Sequence, residues 1–522
     1  MKIKVGFATH GEVLQLLYNA FGVLPRKEDR LGDFKEKDKK TLQKQLSRLA
    51  SEEGSLVENY EKALKDFCEL LIQYLPMQGH AYALNALLEE LNMIYANMIR
   101  AEGTYLDRHE SIQYFISTRA VPSFVLAVQR SVLLYGSREA EELWIKDAFW
   151  YLPTIEASGK LQMPLAKVMR WAYESCGVSQ KQFHCPGRPS DQTEPGRQQN
   201  LDNAVNWTRG KGIPSLPALM ANFTDAFIAQ SEHNRPVDPD LQKRILSALV
   251  FARVATFAAK EIDDAYGLTY LTDVCFQVRQ MSQFLQEEVR EFMRQVVPIM
   301  KTKTPETATH SWIKACSHHE NFVRQKLSQV EALLIESLEE HPELPFCPEL
   351  LRTLTRKFGI FAVHVNTDRL QRQVALKTPA GFVALFNFGF QIKDNPNSTL
   401  EQIDEFEAEV IKMKLQDTLG WLLAWLRGAY YYRRDDYVAA FQHYDAAFEL
   451  AKYSAGACQY KLVNQFVELA AKTDKVTAFK RGIDWASYIG LEIRWLRDRE
   501  PTSENLDFVR YMMKMANYAH QL

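Results

Sequence analysis

Residues 206–223 read NWTRGKGIPSLPALMANF: a tryptophan, a basic glycine turn, and an apolar segment opened by proline. Gly210 and Gly212 permit a tight turn, Ser215 is available as a helix N-cap, and Pro217 suits a first helical turn. Leu216, Leu219, Phe223 and Phe227 then recur at core spacing. The stretch is therefore a corner between two helices, and Arg209 and Lys211 place positive charge on its outside. Upstream, Leu201, Ala204, Val205 and Trp207 can seat the preceding helix on a core. Further back, in MRWAYESCGVSQKQF, Trp171, Ala172 and Cys176 finish one helix, Gly177 suits its C-cap and Ser179 caps a short successor. Four helices in succession are expected around this corner.

The whole chain bounds the answer only loosely. Its 522 residues allow several domains with sizeable cores, and 46% hydrophobic with 25% charged residues is ordinary globular composition. A net charge of −2 excludes a global field that would attract nucleic acid or anionic lipid, so any such contact must be local. The seven cysteines are scattered, odd in number and lack a CxxC pair, which points to a reducing, cytoplasmic setting. No apolar run approaches the roughly 18–20 residues that span a bilayer, and the first residues have no signal-peptide pattern, so no membrane partner is expected.

Helical periodicity dominates, and the expected fold class is all-α, multi-helical. Residues 1–75 and 76–160 read as helical, 161–231 as the corner unit, 232–345 as a long-helix region and 346–522 as a C-terminal helical array. Leu56, Tyr60, Leu64, Leu71 and Leu75 lie on adjoining helical faces, as do Leu84, Leu87, Leu91, Ile94 and Met98. Asp238 or Asp240 is an N-cap for the next long helix. Only residues 358–392 hold enough β-branched and aromatic residues to keep a small β element open, with helix slightly ahead. Three prolines and two glycines in HCPGRPSDQTEPGRQQN, 184–200, predict a loop or linker inserted into the corner unit.

The run SQKQF at the start of a second helix, followed by Trp207, Gly210, Lys211, Pro214, Ser215 and Leu219, resembles the helix-turn-helix of the Cro/repressor-type (XRE-like) family. That resemblance covers about 60 residues. It implies a third helix in the major groove of duplex DNA, with Gln199, Asn200, Asn203 and Asn206 reading base edges, Arg209 and Lys211 on phosphates, and Ser179 and Gln180 on the backbone. Two features depart from the family pattern: the long insertion between second and third helices, and Thr208 where an acidic residue commonly follows the tryptophan. The alternative is a helix-turn-helix scaffold that packs on its own chain or on a partner.

A fainter echo lies near the N-terminus. Gly22–Val23 aligns with Gly177–Val178, Leu42 with Leu201, Leu46 with Val205, and Ser55–Leu56 with Ser215–Leu216. A duplication would give one chain the paired units that a dimer presents to a palindromic site; a homodimer is the other way to reach that pairing. The segment 26–48 carries nine Lys/Arg against five Asp/Glu, and this mixed sign favours a solvated helix over phosphate contact.

In WLRGAYYYRRDDYVAAFQHYDAAFELAKY, Gly428, Tyr431, Tyr437, Ala440, Tyr444 and Ala447 occupy small and aromatic positions that resemble a tetratricopeptide-type (TPR) helical hairpin. Val476, Ala478 and Phe479 repeat Val438, Ala440 and Phe441 more weakly. The resemblance implies a protein or peptide partner, with Tyr432, Arg433, Arg434, His443 and Arg481 as candidate contacts. A purely structural bundle end is the alternative.

The sequence contains no Walker loop, GxSxG elbow or HExxH. Cys176/His184/Cys185 and Cys316/His318/His319/Glu320 lack the paired spacing of structural zinc, so neither a metal nor a cofactor is expected. The leading expectation is a cytosolic DNA-binding regulatory or adaptor protein, with a partner on the C-terminal helices. A scaffold that does not touch DNA is the second reading, and a helical enzyme without a recognised motif is the third.

Overall fold

The computed structural model describes residues 5–22, 56–75, 78–101, 106–116, 149–156, 161–186, 195–300, 379–497 and 502–515, with isolated positions between them. The chain is all-α. Helices α1 (His10–Phe21), α2 (Leu56–Tyr74), α3 (Gln78–Ala101) and α4 (Arg108–Phe115) form the N-terminal part. Strands β1 (Thr154–Ile155) and β2 (Leu161–Gln162) pair antiparallel, Thr154 opposite Gln162, inside a region read from sequence as helical. The corner unit holds α5 (Pro164–Ser175), α6 (Gln180–His184), α7 (Pro195–Thr208) and α8 (Leu216–Glu232), and leads into α9 (Pro239–Met300). The C-terminal array runs α10 (Phe382–Asp394), α11 (Leu400–Lys412), α12 (Gln416–Tyr432), α13 (Tyr437–Ala451), α14 (Cys458–Lys472), α15 (Val476–Ile489) and α16 (Ser503–Met515).

Local chemistry sets many of these boundaries. The Thr9 hydroxyl accepts the Glu12 amide while the Glu12 carboxylate accepts that of Thr9, a reciprocal cap that starts α1. Asp238, rather than Asp240, caps α9 through the Leu241 amide. The 62-residue α9 breaks at Gly267, whose φ of 84° is open to glycine and strained for other residues. Tyr266 and Tyr270 straddle that break, and their hydroxyls donate to the carbonyls of His109 and Gln113 on α4.

Apolar clusters hold the described residues together. Leu14, Tyr18, Tyr60, Ala63, Phe67, Leu75 and Leu88 build the N-terminal core, which also takes in Leu216 and Val250. The corner unit packs Val168, Met169, Ala172, Phe183, Ala204, Leu219, Phe223 and Phe227 against Ile245 and Leu249 of α9. The array packs Trp425, Tyr444, Ala447, Phe448, Phe466 and Trp485, and accepts Phe7, Leu56, Tyr95 and Ile99 from the N-terminal part. Helices α12 and α13 approach so closely that a β-carbon on Gly428 would lie 2.7 Å from the Tyr444 ring. Asp435 and Asp474 take the same left-handed conformation in the turns that close the α12–α13 and α14–α15 hairpins.

Of two sequence expectations, the helix favoured within 358–392 is found over its described part, and the extent of the 184–200 loop is corrected. Over 382–392 the chain is helical, because Phe382, Phe386 and Phe390 recur every fourth residue and pack along one face towards Trp421 and Trp425; residues 358–378 lie outside the described residues. Both ends of the expected loop 184–200 are helical. His184 completes α6, and α7 already begins at Pro195, since a proline in the first helical turn forfeits no hydrogen bond. No described helix is long and apolar enough to cross a membrane.

Candidate functional site

The corner is built outward from α5. This helix buries Val168, Met169, Ala172 and Tyr173, and the chain reverses at Gly177, φ 65°. Ser179 then starts α6: its hydroxyl accepts the Gln182 amide at 3.3 Å, and Gln182 Oε1 accepts the Ser179 N–H at 3.0 Å. At the far end of this short helix, Gln230 of α8 donates from Nε2 to the carbonyls of Gln182 and Phe183. Helix α7 is held on its buried face and by α8. Ala204 is buried in the core, Asn222 Nδ2 donates to the Asn200 carbonyl at 3.0 Å, and Arg197 pairs with Glu232. The turn after α7 closes on Gly210, φ 71°, with Gly210 N–H on Trp207 O and Lys211 N–H on Asn206 O. The Ser215 hydroxyl accepts the Ala218 amide and opens α8.

This frame separates the sequence candidates. Gln199 and Asn206 are exposed and Asn203 is half-buried; with steps of four and three residues they share one face of α7. Gln199 Nε2 donates to Asn203 Oδ1 at 3.2 Å, which aligns two amides along that face. Asn200 instead turns toward Asp225 of α8. Arg209 and Lys211 are exposed just beyond the helix. Ser179 is exposed but engaged as a cap, and Gln180 reaches Thr208 Oγ1 at 3.4 Å. Asp202, also exposed on α7, accepts from Gln198 and puts one negative charge beside the amide row.

Beneath α6 lies a polar group that the sequence did not single out for a structural role. His184 is buried, with ring nitrogen Nε2 2.9 Å from the Tyr173 hydroxyl, and burial pushes its pKa down to about 3. Cys176 and Cys185 are free thiols, and burial raises that of Cys176 to about 11. Among the described residues no group of His, Cys, Asp and Glu could hold a metal ion; the cluster at 316–320 falls mostly outside them.

The C-terminal candidates spread over the array. Tyr432 is buried, its hydroxyl donating to Glu468 Oε1 at 3.2 Å. Arg433 donates to the carbonyls of Lys393 and Asn395 and to Ser398 Oγ, closing the turn after α10. Arg434 lies 3.6 Å over the Tyr430 ring, and His443 stacks on Tyr431. Arg481 ties α15 to Asp445 and Glu449 of α13.

Sequence reasoning missed Arg253, Gln230 and Asn222. Each is a polar residue on the buried face of a helix otherwise filled by apolar side chains, and that misfit was the available signal.

The described residues include two pairs of positions from the N-terminal alignment. Gly22 closes α1 in the left-handed conformation (φ 60°) as Gly177 follows α5, and Leu56 opens α2 as Leu216 opens α8. Residues 23–43, with the partner of Leu201 at Leu42, lie outside the described residues. Comparisons of the chain with protein-family models, with curated proteins and with solved structures find no match.

Proposed function

We propose that the chain binds duplex DNA through α7 and the turn that follows it, and holds a protein or peptide partner on its C-terminal helices, as a regulatory or adaptor protein. The observation that carries this reading is the pairing of an outward amide row, Gln199, Asn203 and Asn206, with two exposed cations, Arg209 and Lys211, on a helix tied to α8. Amide side chains match the donor–acceptor pair on an adenine edge, and the cations neutralise phosphates. Fluorescence anisotropy of a labelled duplex across a salt series tests it. Each of Arg209→Ala and Lys211→Ala lowers the log–log salt slope by about 0.9. No binding at low salt, or an unchanged slope in both variants, rejects the DNA reading.

One observation favours the second reading, a helical scaffold within a larger complex. Asp202 stands on the same face as the amides and repels a phosphate backbone. Asp202→Asn separates the two: tighter duplex binding supports DNA, whereas no effect on any duplex leaves the face to a protein.

A further inference from the structure

The corner is braced by a helix nearly 200 residues away in sequence. Arg253, on α9, is buried, and its guanidinium bridges two segments of the chain: Nε donates to Pro214 O at 2.6 Å, while Nη1 donates to Asn19 O at 3.2 Å and to Ala20 O. The last two carbonyls close α1, where the helix dipole is negative and a cation is favoured. Beside this bridge, the amide of Leu216, first residue of α8, donates to Gly22 O at 3.0 Å. Gly22 has φ 60°, and a β-carbon there would lie 1.9 Å from Arg253 Nη2. Only glycine lets the guanidinium pass.

The other end of α1 is tied to the C-terminal array. The Phe7 amide donates to Tyr453 O at 2.8 Å, in the turn between α13 and α14. Gly6, at φ 122°, crosses Tyr453 so closely that a β-carbon would sit 3.0 Å from that same carbonyl oxygen. The Tyr95 hydroxyl donates to Ala8 O at 2.5 Å, and Phe7 itself is buried in the array's core cluster. A capped α-helix of twelve residues, about 18 Å long, thus continues from residues 6–8, which the array and α3 hold, and ends at the turn that leads from α7 into α8.

We propose that α1 is a strut: it sets the position of residues 209–216 through Arg253 and Gly22, and it transmits displacements of the C-terminal array to that turn. A helix resists compression and bending, and the contacts at both ends are hydrogen bonds between buried groups, which are costly to leave unmade. A shift at Tyr453 therefore moves the carbonyls that Arg253 must reach, and Pro214 moves with them. The consequence of that shift for DNA affinity rests on the reading proposed above.

Hydrogen exchange of the full-length protein under native conditions tests the strut without any ligand. Gly22→Ala and Arg253→Met speed exchange of the 209–216 amides at least tenfold, and Arg253→Lys, which keeps the charge but not the fork, gives an intermediate value. The decisive variants act at the far end. Gly6→Ala, and the milder Tyr95→Phe, speed exchange at 209–216 at least twofold, whereas Gly428→Ala, which destabilises the array away from α1, does not. Exchange at 209–216 that is unmoved by both far-end variants, or moved equally by Gly428→Ala, overturns the proposal. In a parallel salt series, Arg253→Met lowers the DNA-binding slope toward that of an Arg209→Ala/Lys211→Ala double variant. If the wild type binds no duplex, the DNA reading fails and the exchange result alone decides the strut.

Discussion

The Tyr173 hydroxyl and the His184 imidazole meet at 2.9 Å in the core of the corner unit, where the ring is flanked by Phe183 and Phe223. A buried imidazole in this setting is held neutral. Its folded pKa, about 3, lies below the unfolded value near 6.5, so the unfolded state takes up a proton first as pH falls. The stability of the unit is therefore full above pH 6.5 and declines as pH drops from there toward 3. Between pH 7.5 and 5 the loss from this one group is about 2 kcal/mol. Urea unfolding at the two pH values measures it. His184→Gln loses most of that difference; an equally steep decline in the variant shows that other groups are responsible.

Two glycines make opposite predictions. At Gly428 an added methyl lands 2.7 Å from the Tyr444 ring, itself fully buried, so Gly428→Ala separates α12 from α13 and costs about 1–3 kcal/mol. At Gly196, in the first turn of α7, nothing stands within 4 Å of a new β-carbon. There Gly196→Ala restricts the unfolded chain and stabilises by about 0.4–1 kcal/mol. Thermal unfolding of both variants checks the pair, and a stabilised Gly428→Ala would contradict the packing described.

Gln465 gives a test of buried polarity. Its Oε1 accepts from Trp425 Nε1 at 2.7 Å and from the Tyr444 hydroxyl at 3.0 Å, with all three residues in the array core. Gln465→Leu takes this shared acceptor away from both donors and destabilises by about 2–6 kcal/mol, since each buried hydrogen bond left unmade costs about 1–3 kcal/mol. Removing the donors as well, with Trp425→Phe and Tyr444→Phe, recovers part of that loss. Denaturant unfolding of the single and triple variants reads the coupling, and simple additivity of the three substitutions would exclude it.

Much of the corner was legible because its signals are local. Ser179, Gly177, Gly210 and Ser215 act on neighbours within four residues, and the spacing of Leu216, Leu219, Phe223 and Phe227 is the helix repeat itself. Pro195 was misread because one residue type serves both as helix breaker and as helix opener, and only the chain that follows distinguishes them. Tyr432 was misread for a related reason: in three consecutive tyrosines, composition cannot say which one turns inward. The Arg253 bridge had no local signal beyond a charge on an apolar face. Its acceptors, Asn19, Ala20 and Pro214, become neighbours only when three distant segments fold together. The two-residue strands at 154–162 are too short to show any alternation.

The break at Gly267 has a consequence for how this molecule can vary. In an unbroken helix, one inserted residue rotates everything downstream by about 100°, so each half constrains the other's winding phase. Here Tyr266 and Tyr270 hand that phase to a third party, the carbonyls of His109 and Gln113 on α4. The stretch beyond Gly267 takes its azimuth from α4 rather than from the helix before it. Length changes on one side of this joint are thereby uncoupled from side-chain orientation on the other, and the half that packs beneath α5 and α8 can stay fixed while the remainder is remodelled.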